Sequence, residues 1–173
     1  MRHAPRVRLE PASRKDEDEF LASVRRSTRL HRPWVDPPST AARLRKYLAR
    51  HDKRTNLGFF VRSERRQLVG VVNVNEIVRG VFQSAYLGYY GFVPHDGQGY
   101  MTAGLTAVVS LCFRRLGLHR LEANIQPGNR RSIALVKRLG FRREGYSARY
   151  LKIGGRWQDH ERWAITRERW RPR

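Results

Sequence analysis

Gly97 and Gly99 stand two apart in the stretch PHDGQGYMTAGL, which closes a β-branched, aromatic run and opens a helical one. Glycines at that spacing allow a tight turn whose backbone can approach a ligand, and the adjoining helix start offers N–H groups without intrahelical partners. Gly97, Gln98, Gly99, Tyr100, Met101 and Thr102 therefore form a candidate anion site. Thr102 replaces the third glycine of a dinucleotide fingerprint, and no Gly-Lys-Ser/Thr follows, so neither a dinucleotide-binding fold nor a phosphate-loop NTPase is supported. A plain turn is the competing reading.

A second candidate element, NRRSIALVKRLGF, lies about thirty residues downstream. Asn129 at a strand-to-helix junction can cap the helix and also hydrogen-bond a ligand amide, with Ser132 on the next turn. A cap and a solvated hydroxyl are the plainer alternatives. The histidines His31, His95, His119 and His160 are not spaced as metal ligands, and a lone Cys112 allows neither an internal disulfide nor a cysteine-cluster metal site, so no metal is expected. A structural role is the expectation for His119 and His160.

These residues need elements to hold them. Val7 to Glu10 reads as a first strand, and Ser13 caps a helix with the acidic run Asp16 to Glu19 in its first turn, ending near Thr28. The prolines Pro33, Pro37 and Pro38 break regular structure before a second helix starts at Ser39 or Thr40. LGFFVRS, QLVGVVNVNEIV and FQSAYLGYYGFV read as three antiparallel strands joined by hairpins. A helix with an apolar stripe from Leu105 to Leu116, stopping at Gly117, follows. The strand LEANIQ, the helix NRRSIALVKRLG and the strands FRREGYSARYLKI and HERWAIT complete the chain. The expected fold class is α/β (α+β), with a mixed, mostly antiparallel sheet and helices on both faces.

With 173 residues and 40% hydrophobic content, one domain spanning 1–173 is expected. No apolar run nears a membrane span, and the N-terminus has basic residues without an apolar segment behind them, so a cytoplasmic protein without membrane contact is expected. The formal charge of +21 suggests a polyanionic neighbour such as nucleic acid, while the skew to 31 Arg against five Lys also fits an Arg-biased composition. The tail RERWRPR reads as a solvated basic end, with Trp170 stacking on RNA bases or packing on the domain as alternatives.

Together LVGVVNVNEIVRGVFQSAYLGYYGFV, GQGYMTAGLTA, LHRLEANIQPGNRRS, KRLGFRREGY and YLKIGGRWQDH resemble the GNAT superfamily of N-acetyltransferases, and within it the RimJ-type branch of the RimJ/RimL group, which acetylates protein N-termini. The resemblance covers about Gln67 to Thr166, and the Pro-Trp of HRPWVDPP also fits. It implies a central sheet of about seven strands that splays at the cofactor, and acetyl-CoA as co-substrate with no metal. The diphosphate would sit on Gly97 to Thr102, and pantetheine would pair with Gly91, Phe92 and Val93, reached by Asn129 and Ser132 from the other side. Pro94 departs from the extended glycine signature, and Ala103 replaces a common acid.

The implied reaction is attack by a neutral amine on a thioester. An α-amino group of pKa about 7.7–8.0 is roughly a tenth neutral at pH 7, so an N-terminal acceptor asks little of a base. The position of a proposed base in RimL relatives is Leu151 here, and that of a common Tyr acid is Val136. Glu76, Tyr150 or a water held by Asn73 are the replacement candidates for the base, and Ser132 for hydrogen-bonding the sulfur. Glu122 could serve as a base, with burial or pairing to an arginine as the expected reading, and a backbone N–H near Val93 would meet the oxyanion. The expected function is acetylation of the N-terminal amine, an Ala, of a ribosomal protein by a monomer or dimer. A small-amine or antibiotic acetyltransferase, or a ribosome-assembly factor contacting ribosomal RNA, are the alternatives.

Overall fold

The computed structural model describes residues 5–51 and 54–171. Along the chain run β1 (Val7–Pro11), a 3-10 turn (Arg14–Asp16), α1 (Glu17–Arg26), α2 (Thr28–His31), α3 (Ala41–Ala49), β2 (Leu57–Ser63), β3 (Leu68–Val78), β4 (Ser84–Gly91), α4 (Tyr100–Arg114), β5 (Arg120–Ile125), α5 (Arg130–Arg138), β6 (Arg142–Ile153) and β7 (Arg156–Thr166). The seven strands form one sheet in the order β1-β2-β3-β4-β5-β7-β6, antiparallel everywhere except between β4 and β5. This is the mixed sheet that the residue patterns imply.

Alternation along the strands divides two apolar clusters between the faces. On one face Val61, Val72, Val74, Leu87, Leu121, Ile125 and Trp163 pack against Leu105, Val108, Val109, Cys112 and Phe113 of α4 and Leu135 and Val136 of α5. On the other, Phe60, Val71 and Phe92 pack against Phe20 and Val24 of α1 and Leu44 of α3. Burial of each large side chain contributes on the order of 1.5–3 kcal/mol. Val136, at the family's tyrosine position, has no exposed surface and belongs to the first cluster.

Three details differ from the sequence expectation. The first helix stops at Arg26, and a separate turn, α2, brings His31 under the sheet. β7 begins at Arg156, four residues before the expected start at His160, because Gly154 (φ +56°) and Gly155 (φ +81°) make a two-residue hairpin turn that pairs Ile153 with Arg156. Trp170 is buried, packs 6.4 Å from the Phe113 ring and donates its indole N–H to Ser110 Oγ at 3.2 Å, so it is a packing residue rather than part of a solvated basic end. Pro172 and Arg173 of that tail lie outside the described residues.

The acidic run does more than complement a helix dipole. Arg62 is buried in β2 and bonds Glu10 of β1 at 2.6 Å, Asp16 at 2.5 Å and Glu19 of α1 at 2.9 Å, while Glu19 also accepts the Leu68 N–H at 3.0 Å. Breaking such a buried cluster by removing one partner costs about 3–5 kcal/mol. It fixes α1, and with it α2, against the sheet.

Candidate active site

β4 and β5 are laddered only where Ser84 to Tyr86 meets Arg120 to Glu122, although β4 continues to Gly91 and β5 to Ile125. Past that point the strands part. The Phe92 N–H donates to the Val69 carbonyl at 3.0 Å, so by alternation the backbone groups of Gly88 and Tyr90 face β3, and those of Leu87, Tyr89 and Gly91 face the gap. A peptide-like ligand entering the gap meets them as an added strand would.

A cleft opens on each side of this break. The one beside α4 and α5, about 520 Å³, is lined by Gly91, Gly97, Gly99, Tyr100, Met101 and Thr102 among others. The one on the opposite face, about 570 Å³, is lined by Asp36, Glu76, Asn124, Tyr150 and His160 among others. They share Trp34, Val35, Tyr89, Tyr90, Asn129 and Ser132. The shared residues mark where material on one side can meet material on the other.

The first cleft is built mostly from backbone. Gly97 and Gly99 have φ of +74° and +88°, a conformation that turns the chain into α4 at little cost only without a side chain. Among the described residues none accepts from the N–H groups of Gly97, Gln98 or Gly99, and the first turn of α4 adds its own unpaired donors. Arg131 and Arg138 line the same cleft, Arg131 bonding Asp96 at 3.2 Å. Such a cradle of N–H groups with flanking guanidiniums fits a diphosphate. Gly70 faces Gly91 across the β3–β4 ladder, where a Cβ on Gly70 would fall 2.2 Å from Met101 Sδ; that room lets Met101 key the start of α4 onto the end of β4.

Phe92, Val93 and Gln98 stand differently from the expectation. The Phe92 side chain is wholly buried under α1, and its carbonyl accepts from the His95 N–H at 3.0 Å. The Val93 N–H, expected to be available to an oxyanion, donates to Ser27 Oγ at 3.1 Å. The Gly91 carbonyl accepts from His31 Nε2 at 2.9 Å. Free strand edge therefore lies at Tyr89 and the Gly91 N–H, one turn of the pleat earlier than the expected pairing. The Gln98 side chain folds back onto the Pro94 carbonyl at 2.6 Å, leaving its backbone facing outward. Burial lowers the pKa of His31, which is therefore neutral when it donates Nε2–H to Gly91.

At the junction, Asn129 caps α5 with its Oδ1, accepting from the Ser132 N–H at 3.1 Å, which leaves its amide Nδ2 for a ligand carbonyl. Ser132 Oγ and the Tyr89 hydroxyl are 2.6 Å apart. Burial pushes the Tyr89 phenol up to about 12, with the Ser132 hydrogen bond pulling the other way, so Tyr89 keeps its proton across the neutral range. Sequence reasoning missed Tyr89. The alternation in LGYYG, which sends Tyr89 and Tyr90 to opposite faces, was the available signal.

The second cleft is built from side chains. Trp34 roofs it with the β5–α5 loop: Gln126 Nε2 donates to the Trp34 carbonyl at 3.2 Å, and a Cβ on Gly128 would meet the indole at 3.0 Å. Glu76 sits at a left-handed φ of +51° where the β3–β4 register slips, and is exposed at the cleft edge. Tyr150 lines the cleft from β6, Asn73 lines it while accepting from the Tyr47 hydroxyl at 2.5 Å, and Ser132 reaches it from α5. Glu122 is engaged by Arg120 at 2.9 Å, and His119 by Glu168 at 3.2 Å outside the cleft. His160 is 3% exposed and lines the cleft, a placement the sequence did not suggest. Among the described residues no group of three or more metal-ligating side chains comes together, and no helix is long and apolar enough to cross a membrane.

Residues 6–142 match the family model for the acetyltransferase (GNAT) domain. YjcK of Bacillus subtilis (strain 168) is 39% identical over 66% of this chain and 62% of its own length. The ribosomal protein uS5-alanine N-acetyltransferase of Escherichia coli (strain K12) is 41% identical over 63% of this chain and 56% of its own length. The alignments thus span only about six tenths of these curated relatives. Among solved structures, Mycobacterium smegmatis RimJ in complex with CoA-disulfide shares the fold with a TM-score of 0.87 and 28% identity, over 95% of this chain and 84% of that one.

Proposed function

Because the chain belongs to the GNAT acetyltransferase family, we propose that it is an acetyl-CoA-dependent N-acetyltransferase acting on the N-terminal amine of a protein, an Ala-first ribosomal protein in particular. The observation that supports this most directly is the break between β4 and β5, where a cleft built of backbone donors meets a polar cleft of the opposite face. Gly97 to Thr102 would hold the diphosphate, and Tyr89, Gly91 and Asn129 the amide-bearing arm. Bound there, acetyl-CoA supplies an activated acyl group to an incoming amine.

The protein's own groups then have distinct tasks. The buried Tyr89 hydroxyl and Ser132 Oγ hold a proton on the side where a thiolate would leave. A donor that stays protonated in a water-poor site is worth more there than in bulk solvent. Glu76 favours a cationic acceptor at the other mouth, and Tyr150 lines its wall. Trp34, held over Gly128, covers the junction and limits water. Cys112 is buried with its thiol pushed up to about 12, which disfavours an acyl-cysteine route.

The Escherichia coli relative supports the N-terminal acceptor. A polyamine acceptor is a second reading, favoured by a spermidine N(1)-acetyltransferase of Vibrio cholerae that is 26% identical over 65% of this chain. A panel of acceptors separates them: an Ala-terminated peptide, the same peptide with a blocked amine, and spermidine, each with acetyl-CoA and thiol release recorded. The expected outcome is turnover with the free peptide alone. Preference for spermidine overturns the protein acceptor, and no turnover with any amine overturns the enzymatic reading.

A further inference from the structure

The second cleft contains two acceptor atoms that the fold leaves unused. Asn124 Oδ1 is buried without a hydrogen-bond partner, although Asn124 lines the cleft. His160 spends Nδ1 on the Gln158 carbonyl at 2.9 Å, which fixes the proton on that nitrogen and leaves Nε2 as a bare lone pair. No described residue bonds Nε2, and unlike Asn124 Oδ1 it is not shut off from the cleft. Asn124 of β5 is directly opposite Arg162 of β7, so Asn124, Arg162 and His160 project from one face of the sheet. A carbonyl oxygen buried without a donor is a cost to the fold alone, and marks this wall of the cleft as built for something other than packing.

A primary ammonium is the ligand that an unpaired imidazole nitrogen opening on a cleft edged by the Glu76 carboxylate would suit. We propose that His160 is the proton acceptor of the reaction, taking a proton from the substrate ammonium received beside Asn124. This rests on the acetyltransferase reading and names the base for it. One N–H bond of the ammonium breaks, its electron pair stays on nitrogen, and the proton bonds to Nε2, from which it passes to water before the next turnover. The nitrogen is then the neutral nucleophile.

The surroundings keep His160 ready for this. Burial lowers its pKa, outweighing the opposing Gln158 carbonyl and Asp159 carboxylate, so the ring is neutral at pH 7. Asp159 turns to the Tyr146 hydroxyl and the Arg149 N–H, and Tyr150 stands 6.3 Å from the imidazole, ring to ring. From the remaining walls Glu76, Asp36, Tyr86, Arg50 and His51 face the same cleft. Glu76 is exposed at the cleft edge, whereas the imidazole is buried in the wall that also carries Asn124.

The test compares the wild type, His160→Gln and the exposed-site control His119→Gln across pH 5.5 to 9.5 with an Ala-terminated peptide. The wild-type acidic limb should coincide with the titration of the His160 ring followed by nitrogen-15 NMR, below the ordinary histidine value. In H160Q the limb should move up to the peptide amine's own value of about 7.7–8.0. The deficit should be at least tenfold near pH 6.5 and shrink toward unity above pH 9, because the amine then needs no base. H119Q should follow the wild type. An H160Q profile that is merely scaled down at every pH overturns the proposal, as does a wild-type limb away from the His160 titration, a criterion that holds even if H160Q fails to fold. In the free protein, adding the peptide should perturb the His160 Nε2 resonance; no perturbation also counts against it. A wild type inactive toward every amine overturns the enzymatic reading itself, whereas an active wild type with an unshifted H160Q limb removes only this inference.

Discussion

The two clefts that meet at Tyr89 and Ser132 are made of different material. On the α4–α5 side the donors are backbone N–H groups of Gly97 to Thr102, consecutive in sequence and fixed by a turn and a helix start. On the opposite side the polar groups are side chains from the 33–38 loop, α3, β3, β4, β5, β6 and β7. A backbone site tolerates replacement of most side chains but not of the glycines that let the chain bend. A side-chain site can be refitted one residue at a time while the fold stands. The difference assigns a shared ligand to the first cleft and a protein-specific one to the second.

The largest expected effect comes from attacking the backbone site. Gly97→Val disfavours φ +74°, so the free turn should relax out of the cradle geometry and regaining it on binding should cost about 2 kcal/mol; CoA affinity measured by calorimetry should then fall about thirtyfold with little change in melting temperature. CoA binding equal to wild type would break the distinction. Tyr89→Phe sits on the boundary. It removes the hydroxyl bonded to Ser132 and should lower kcat about tenfold while leaving CoA affinity intact. Because burial holds the Tyr89 proton up to about 12, the loss should be the same from pH 6 to 9, and a loss confined to one end of that range would exclude the donor role. Glu76→Gln, at the exposed cleft edge, should raise KM for a cationic acceptor only about threefold, and less in high salt. An effect of that variant on CoA affinity would show that the clefts are not independent.

The same difference decides what the sequence revealed. Glycine spacing, the Asn129 cap and the strand alternation are local, so the sheet, both flanking layers and the glycine turn were legible from residues near one another in the chain. Of the second cleft, Glu76, Tyr150, Asn73 and Ser132 were named from the sequence and line it, whereas its other walls were not legible. Asn124, Tyr89 and His160 lie on three strands, and a single histidine on a strand carries no periodic signal. Only the order β4-β5-β7, which places a late strand beside an internal one, brings them to one cleft. The resemblance implied cofactor contacts for Phe92 and Val93, whereas residues far earlier in sequence claim them: Ser27 the Val93 N–H and Phe20 the Phe92 side chain.

The short β4–β5 ladder has a kinetic consequence. Under the proposed function two reactants would enter from opposite faces and meet where the clefts share their walls, so that neither would have to leave before the other arrives. With the buried Cys112 unsuited to carrying an acyl group, turnover on the proposed function would depend on simultaneous occupancy, the sheet would act as a coincidence gate, and initial-rate lines for the two substrates should intersect rather than run parallel.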